Sequence, residues 1–332
     1  MARSASHAAA VTKISAKRKN RRRAIRATLG LIVLAWCCAT GPGSAYASPD
    51  DPNAVARGAY LVRAGGCIAC HTDVKGDGAP LAGGGAIETP FGTFYAPNLT
   101  PDGEFGLGRW QETDFIAAMT RGRAPNGGLY YPVFPYPAYS GMTQRDLSAL
   151  WAYLRSVPPV DRPNTTHALA FPFSLRAVNL GWQALFFKPR PWRPEPKQSA
   201  RWNRGAYLAR HFLHCGECHT PRNRLGAKRT ALAFAGHRQG PDGSTVPNIT
   251  SHQTGIAAWS AGDIVWLLQT GFMPHGDDIQ GEMALLVEHG SKHLTDADLA
   301  AVADFILALP PIDNLLKTEK DAPAAEEDDY DY

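Results

Sequence analysis

Two short segments carry residue types at spacings with a defined chemistry: Cys67-Ile68-Ala69-Cys70-His71-Thr72 and Cys215-Gly216-Glu217-Cys218-His219-Thr220. Each is C-x-x-C-H. Two thiols three residues apart on one turn can each form a thioether with a haem vinyl group, and the His that follows turns its imidazole to the iron. A bare C-x-x-C would also suit a redox dithiol or half of a zinc site. A dithiol has no use for the adjacent His, and zinc would need further Cys or His in a compact cluster. The spacing therefore predicts two covalent haem c groups, held by Cys67, Cys70, Cys215 and Cys218, with His71 and His219 as iron ligands.

The other two of the six cysteines, Cys37 and Cys38, sit in an N-terminal stretch of different character. Residues 1–47 hold nine Lys or Arg and no acid, then the apolar run LGLIVLAWCCATG, then Ala45-Tyr46-Ala47. This reads as a signal peptide cleaved after Ala47, directing the chain to the periplasm. The apolar run is short of the ~20 residues that a membrane-spanning helix needs. Losing nine bases and no acid would take the formal charge from +4 to −5. Four cysteines in an exported chain would ordinarily suggest two disulfides, but their C-x-x-C-H setting points to haem.

Elements must hold those residues, and the chain repeats itself around them. RGAYL begins at Arg57 and again at Arg204; PNLT at Pro97 answers PNIT at Pro247; Trp110 answers Trp259. DFIAAMTRG from Asp114 aligns with DIVWLLQTG from Asp263, and TQRDLSALWAYLRSVPPV from Thr143 with TDADLAAVADFILALPPI from Thr295. The pattern predicts an all-α chain of two domains, 48–159 and 204–312. Each has an opening helix running into C-x-x-C-H, a Gly/Pro-rich excursion, a middle helix and a last helix. Thr143 and Thr295 are the expected N-caps of the last helices, with Asp146 and Asp298 at the third position and Pro-Pro as the stop.

Between the repeats, 160–203 reads as a Pro/aromatic linker containing one amphipathic helix, SLRAVNLGWQALFF, capped by Ser174. Its stripe of Leu175, Val178, Trp182 and Leu185 is expected to pack between the two haem domains. From Arg162 to Arg229 there are thirteen Lys or Arg against Glu195 and Glu217, a belt able to steer an acidic redox partner. The acidic tail 313–332 reads as disordered.

GGCIACHT, TPFGTFYAPNLTPDGEFGLGRW, YYPVFPY, NRGAYLARHFLHCGECHTPRN and GEMALLVEHGSKHLTDADLAAVADFI together resemble class I cytochrome c. As a pair the repeats are similar to the multihaem cytochrome c subunits of periplasmic alcohol, gluconate and aldehyde dehydrogenases. Many of those subunits carry three haem motifs where this chain has two. The resemblance implies helices packed around each haem, one His and usually one Met on the iron, and electron transfer rather than bond-making. It implies a periplasmic dehydrogenase as partner and a quinone, cytochrome or oxidase as acceptor, with peripheral membrane association as a further option and no role for nucleic acid. Met283 is then the expected sixth ligand of the second haem, with Met273, His275, His289 and His293 as rivals. For the first haem many relatives read Met-Pro-Tyr where this chain has Phe134-Pro135-Tyr136, and Phe cannot bind iron. Met142 is the expected ligand instead, with His167 as a remoter candidate. The competing reading makes Met142 a hydrophobic staple and leaves the first iron open, as in a dihaem peroxidase or a thiosulfate-oxidising cytochrome.

Overall fold

An apolar stripe at helical spacing can be buried only against another element, and in each repeat the opening and last helices bury theirs on each other. The computed structural model describes residues 52–240 and 243–316. The first repeat contains α1 (Pro52–Ala64), α2 (Cys67–His71), strands β1 (Ala86–Thr89) and β2 (Gly92–Tyr95), α3 (Glu112–Arg121), α4 (Tyr136–Tyr139) and α5 (Gln144–Ser156). The linker adds β3 (Ala168–Leu169) and α6 (Val178–Phe186). The second repeat contains α7 (Ala200–Tyr207), prolonged by a π-turn over Leu208–Phe212, then α8 (Ala261–Thr270), α9 (Gly281–Glu288) and α10 (Asp296–Leu307).

Helices α1 and α5 cross closely because Gly58 has no side chain: a Cβ there would collide with the carbonyl oxygen of Ala149. Gly205 plays the same part where α7 crosses α10, under the carbonyl of Ala301. Around these crossings Leu61, Val62, Leu147 and Trp151 on one side, and Leu208, Phe212, Leu299 and Phe305 on the other, join one continuous core. Burying each such side chain fully contributes about 1.5–3 kcal/mol. The last helices start as expected. The Thr143 hydroxyl accepts the Asp146 N–H at 3.2 Å and Thr295 accepts that of Asp298 at 3.2 Å. The middle helices are closed by Asp114 and Asp263, which accept the N-cap amides of Gln111 at 2.9 Å and Ser260 at 2.7 Å.

Several expectations are corrected. The chain is mostly helical but not all-α: β1, β2 and β3 form a small antiparallel sheet, with Ile87 opposite Phe94 and Thr93 opposite Ala168. It forms because the Gly/Pro-rich excursion holds an alternating AIET/GTFY pair on a tight turn. The linker helix begins at Val178 and Ser174 does not cap it; the Ser174 amide instead bonds to Ala170 O at 3.2 Å in the preceding turns. Its apolar stripe does not pack between the repeats. Leu175 is 51% exposed and Leu185 73% exposed, and the one fully buried residue of α6 is Asn179. Trp182 alone is pinned, donating to Leu225 O at 2.9 Å. Of the tail, Asn314 is fixed to the second repeat, its side chain donating to Ala235 O at 2.7 Å; residues 317–332, and the leader 1–47, lie outside the described residues.

Candidate functional site

The PN-x-T sequences explain how each C-x-x-C-H is held. His71 Nδ1 lies 2.8 Å from Pro97 O, and His219 Nδ1 lies 2.8 Å from Pro247 O. A carbonyl only accepts, so Nδ1 carries the proton and Nε2 presents its lone pair outward, the tautomer that an iron ligand needs. The turn that aims each carbonyl is built by the next residue. Asn98 Oδ1 accepts from Thr100 N at 2.9 Å and Thr100 Oγ1 at 2.7 Å, and Asn248 does the same for Thr250 at 2.9 and 2.8 Å. Each Asn then ties the turn to the Pro-Pro stop, donating to Val160 O at 2.8 Å or Ile312 O at 2.9 Å. Burial keeps both imidazoles neutral, lowering their pKa against the opposing effect of the Pro carbonyls.

None of Cys67, Cys70, Cys215 and Cys218 is joined in a disulfide. They are enclosed by protein yet retain access to solvent, as side chains lining a cleft do. Burial pushes Cys67 and Cys215 up to about 12 and Cys70 up to about 11, with Glu282 and Cys218 adding repulsion at Cys70. These three stay protonated at neutral pH. Four thiols outside any disulfide and two imidazoles fixed through Nδ1, with half-buried apolar side chains such as Ile68 and Leu213 close to them in the chain, fit two covalently attached haems. Among the described residues no group of three or more His, Cys, Asp or Glu could hold a metal ion by itself.

The Met candidates occupy unlike settings. Met142 is 6% exposed, in the core just before the N-cap Thr143; its repeat counterpart Leu294 is also 6% exposed. Met283 stands in the first turn of α9, partly buried against the core. Met119 is a core residue of α3. His167 is engaged elsewhere: its Nδ1 accepts from Tyr95 N at 3.2 Å and its ring packs on Phe94 and Tyr131. His275 is exposed beside Asp277. The segment from Gly128 to Thr143 is an aromatic cover, in which Phe134 meets Tyr130 at 5.6 Å and Tyr139 at 5.7 Å between ring centroids.

The two sites adjoin. The ring of Tyr139, in the first repeat's cover, meets His214, the residue before Cys215, at 5.6 Å. Burial raises its hydroxyl well above the ordinary tyrosine value, with Cys67, Cys70 and Glu217 adding to the shift. A Cβ on Gly66, the residue before Cys67, would stand 3.3 Å from Leu286 of α9.

The repeats are locked by a reciprocal set of bonds that the sequence did not announce. Arg57 pairs with Asp146 of its own repeat, Nε to Oδ1 at 2.6 Å, while Tyr207 of the other repeat donates to Asp146 Oδ2 at 2.5 Å. Arg204 forks onto Asp298 of its own repeat at 2.8 and 2.7 Å, while Tyr60 of the other repeat donates to Asp298 Oδ2 at 2.6 Å. Each Tyr hydroxyl also accepts a helix-cap amide, Thr143 N to Tyr207 at 3.2 Å and Thr295 N to Tyr60 at 3.4 Å. The signal was the repeated RGAYL, whose Arg and Tyr had no assigned task. The basic belt is partly spent on pairs of this kind: Arg162 with Asp73, Arg201 with Asp304, and Arg222 and Lys228 with Glu217. Lys188, Arg190, Arg193 and Lys197 remain on the surface.

Comparison with known proteins agrees with this arrangement. A family model for cytochrome c matches residues 55–158. The chain is 38% identical over 302 residues to a diheme cytochrome c-type protein of Cereibacter sphaeroides, covering 88% of this chain and 100% of that one. It is 39% identical to the fructose dehydrogenase cytochrome subunit of Gluconobacter japonicus, over 80% of this chain and 56% of that one. It is 36% identical to the cytochrome c subunit of a quinone alcohol dehydrogenase of Komagataeibacter europaeus, over 81% and 59%. The chain thus spans little more than half the length of those two dehydrogenase subunits.

Proposed function

The chain belongs to the dihaem c-type cytochromes, and from that premise we propose that it is an electron-transfer protein of two tandem class I domains, 48–159 and 204–312, each wrapped around one haem c. The observation that carries this reading is the matched setting of His71 and His219, each fixed through Nδ1 by a Pro carbonyl 2.8 Å away. Cys67 and Cys70 hold the first haem and Cys215 and Cys218 the second. Bound haem supplies a one-electron couple between ferric and ferrous iron. The protein's own residues would hold that group: His71 and His219 would each ligate an iron, Met142 and Met283 would be the second ligands of the first and second haem, and the rings from Tyr130 to Tyr139 would keep water from the first haem. With a Met as well as a His on each iron, electrons would pass and substrates would not reach the metal.

The donor is a dehydrogenase, in keeping with the cytochrome subunits to which the chain is similar, and the acceptor is a quinone, another cytochrome or an oxidase. Export to the periplasm follows from the leader 1–47. Among the described residues no helix is long and apolar enough to cross a membrane. Lys188, Arg190, Arg193 and Lys197, beside the exposed stripe of α6, form the docking face for an acidic partner.

A pyridine haemochrome assay tests the cofactor: two covalent haems per chain are expected, and their absence would reject the proposal. Met142→Ala tests the ligand set. The charge-transfer band of His/Met ferric haem is expected to fall by half, from the first haem alone. An unchanged band would assign Met142 to the core and leave the first iron open to small molecules.

A further inference from the structure

The two C-x-x-C-H turns are not independent: each is entered by a helix whose Tyr is bonded to the other repeat. Tyr60 lies on α1, which runs into Cys67, and it donates to Asp298 at the start of α10. Tyr207 ends α7, on the path to Cys215, and it donates to Asp146 at the start of α5. Asp146 is 1% exposed and Asp298 8% exposed, and each already has an Arg of its own repeat. The Tyr hydroxyls reach only the other repeat, its carboxylate and its cap amide, while within each repeat the carboxylate already has its Arg. Their bonds act only between repeats. Trp192 of the linker closes over one of them, its ring 5.6 Å from that of Tyr207, and Arg190 N donates to Ser140 Oγ at 3.2 Å beside it.

What this lock holds in register is the junction of the two sites. Tyr139 packs on His214 at 5.6 Å, His211 Nδ1 lies 2.9 Å from Ala138 O, and Leu286 abuts Gly66. Electron tunnelling falls steeply with distance, so two haems anchored on these turns exchange electrons quickly only while the turns stay in contact. Resting on the dihaem reading above, we propose that Tyr60 and Tyr207 are positioning residues for inter-haem electron transfer, the reciprocal Tyr–Asp bonds holding the two haems at exchange distance. In the step itself one electron leaves ferrous iron at one site and reduces ferric iron at the other. No proton moves and no bond breaks.

The test uses the full-length holoprotein with Tyr60→Phe, Tyr207→Phe and both together. These changes keep the rings and the Arg–Asp pairs. One reducing equivalent is delivered by a short pulse and its redistribution between the haems is followed optically, alongside amide exchange at Thr143 and Thr295. The expected result is unchanged haem content and axial ligation, amide exchange faster by about tenfold for each hydroxyl removed, and loss of the single fast redistribution phase in the double variant. Retention of that phase at the wild-type rate would overturn the proposal, and a lowered melting temperature with an unchanged rate would make the tyrosines structural only. If the double variant does not accumulate, the single variants decide: both must slow redistribution, and wild-type rates in both would equally overturn it. Absence of covalent haem would instead defeat the dihaem reading itself, so the two failures are distinct.

Discussion

The smallest unit of this chemistry is a backbone carbonyl. Pro97 O and Pro247 O fix the tautomer of the His71 and His219 imidazoles, and no side chain advertises them; the sequence shows only the repeated PN-x-T that builds their turn. Asn98 is 2% exposed, and its amide serves Thr100 and Val160 together. Asn98→Ala strands buried backbone groups, and each costs about 1–3 kcal/mol. We expect a lower melting temperature and a shift of potential and spectrum at the first haem alone, read by spectroelectrochemical titration, with the second haem unchanged. The C-x-x-C-H residues were legible at this scale because their spacing is itself the chemistry. Met142 was less so: a thioether beside a helix cap serves as ligand or as apolar filler, and its counterpart Leu294 shows that the position suits a plain hydrophobe.

Among the elements, the helices were the readable part, since Thr143 and Thr295 cap where the pattern places them and the Pro-Pro pairs end what they begin. The crossing of α1 with α5 depends on Gly58, and any side chain there meets the carbonyl of Ala149. Gly58→Ala is expected to cost about 1–3 kcal/mol as an overpacked contact, measured by thermal or urea unfolding of the holoprotein. Leu225→Ala, on an exposed turn, is the control and should change little. The small sheet escaped prediction because strands of four residues in a Gly-rich excursion carry too little alternation to stand out. The linker helix is expected from the sequence to pack its apolar stripe between the repeats, and it leaves that stripe largely exposed instead. A stripe such as Leu175, Val178 and Leu185 states that one face is apolar, but not whether the chain itself provides the cover.

At the scale of the whole molecule, two predictions concern the lock and the surface. Burial alone would raise the Asp298 carboxyl, but hydrogen bonds from Arg204 and Tyr60 pull it below its ordinary value. Stability from this ionised group is present above the usual carboxylate range and is lost as pH falls below it. Burial and the bond to Asp298 push the Tyr60 hydroxyl up to about 12. Its contribution is complete below the ordinary tyrosine value and disappears as pH climbs toward 12. Cross-repeat stability should therefore fail at both extremes, and Tyr60→Phe should weaken the alkaline limb of the unfolding midpoint plotted against pH, leaving the part that Tyr207, whose hydroxyl is raised in the same way, contributes. On the surface, charge reversal at Lys188, Arg190 and Arg193 should slow electron exchange with an acidic partner several-fold and flatten its dependence on ionic strength, in stopped-flow measurements. The bonds between the repeats were invisible in the sequence because Tyr60 and Asp298 are far apart along the chain and neither residue names its partner. Each repeat presents both the donor and the acceptor of the same contact, so the surface is complementary to itself, as the interface of an isologous homodimer must be. The linker turns what would otherwise be a concentration-dependent association of two such surfaces into one within a single chain.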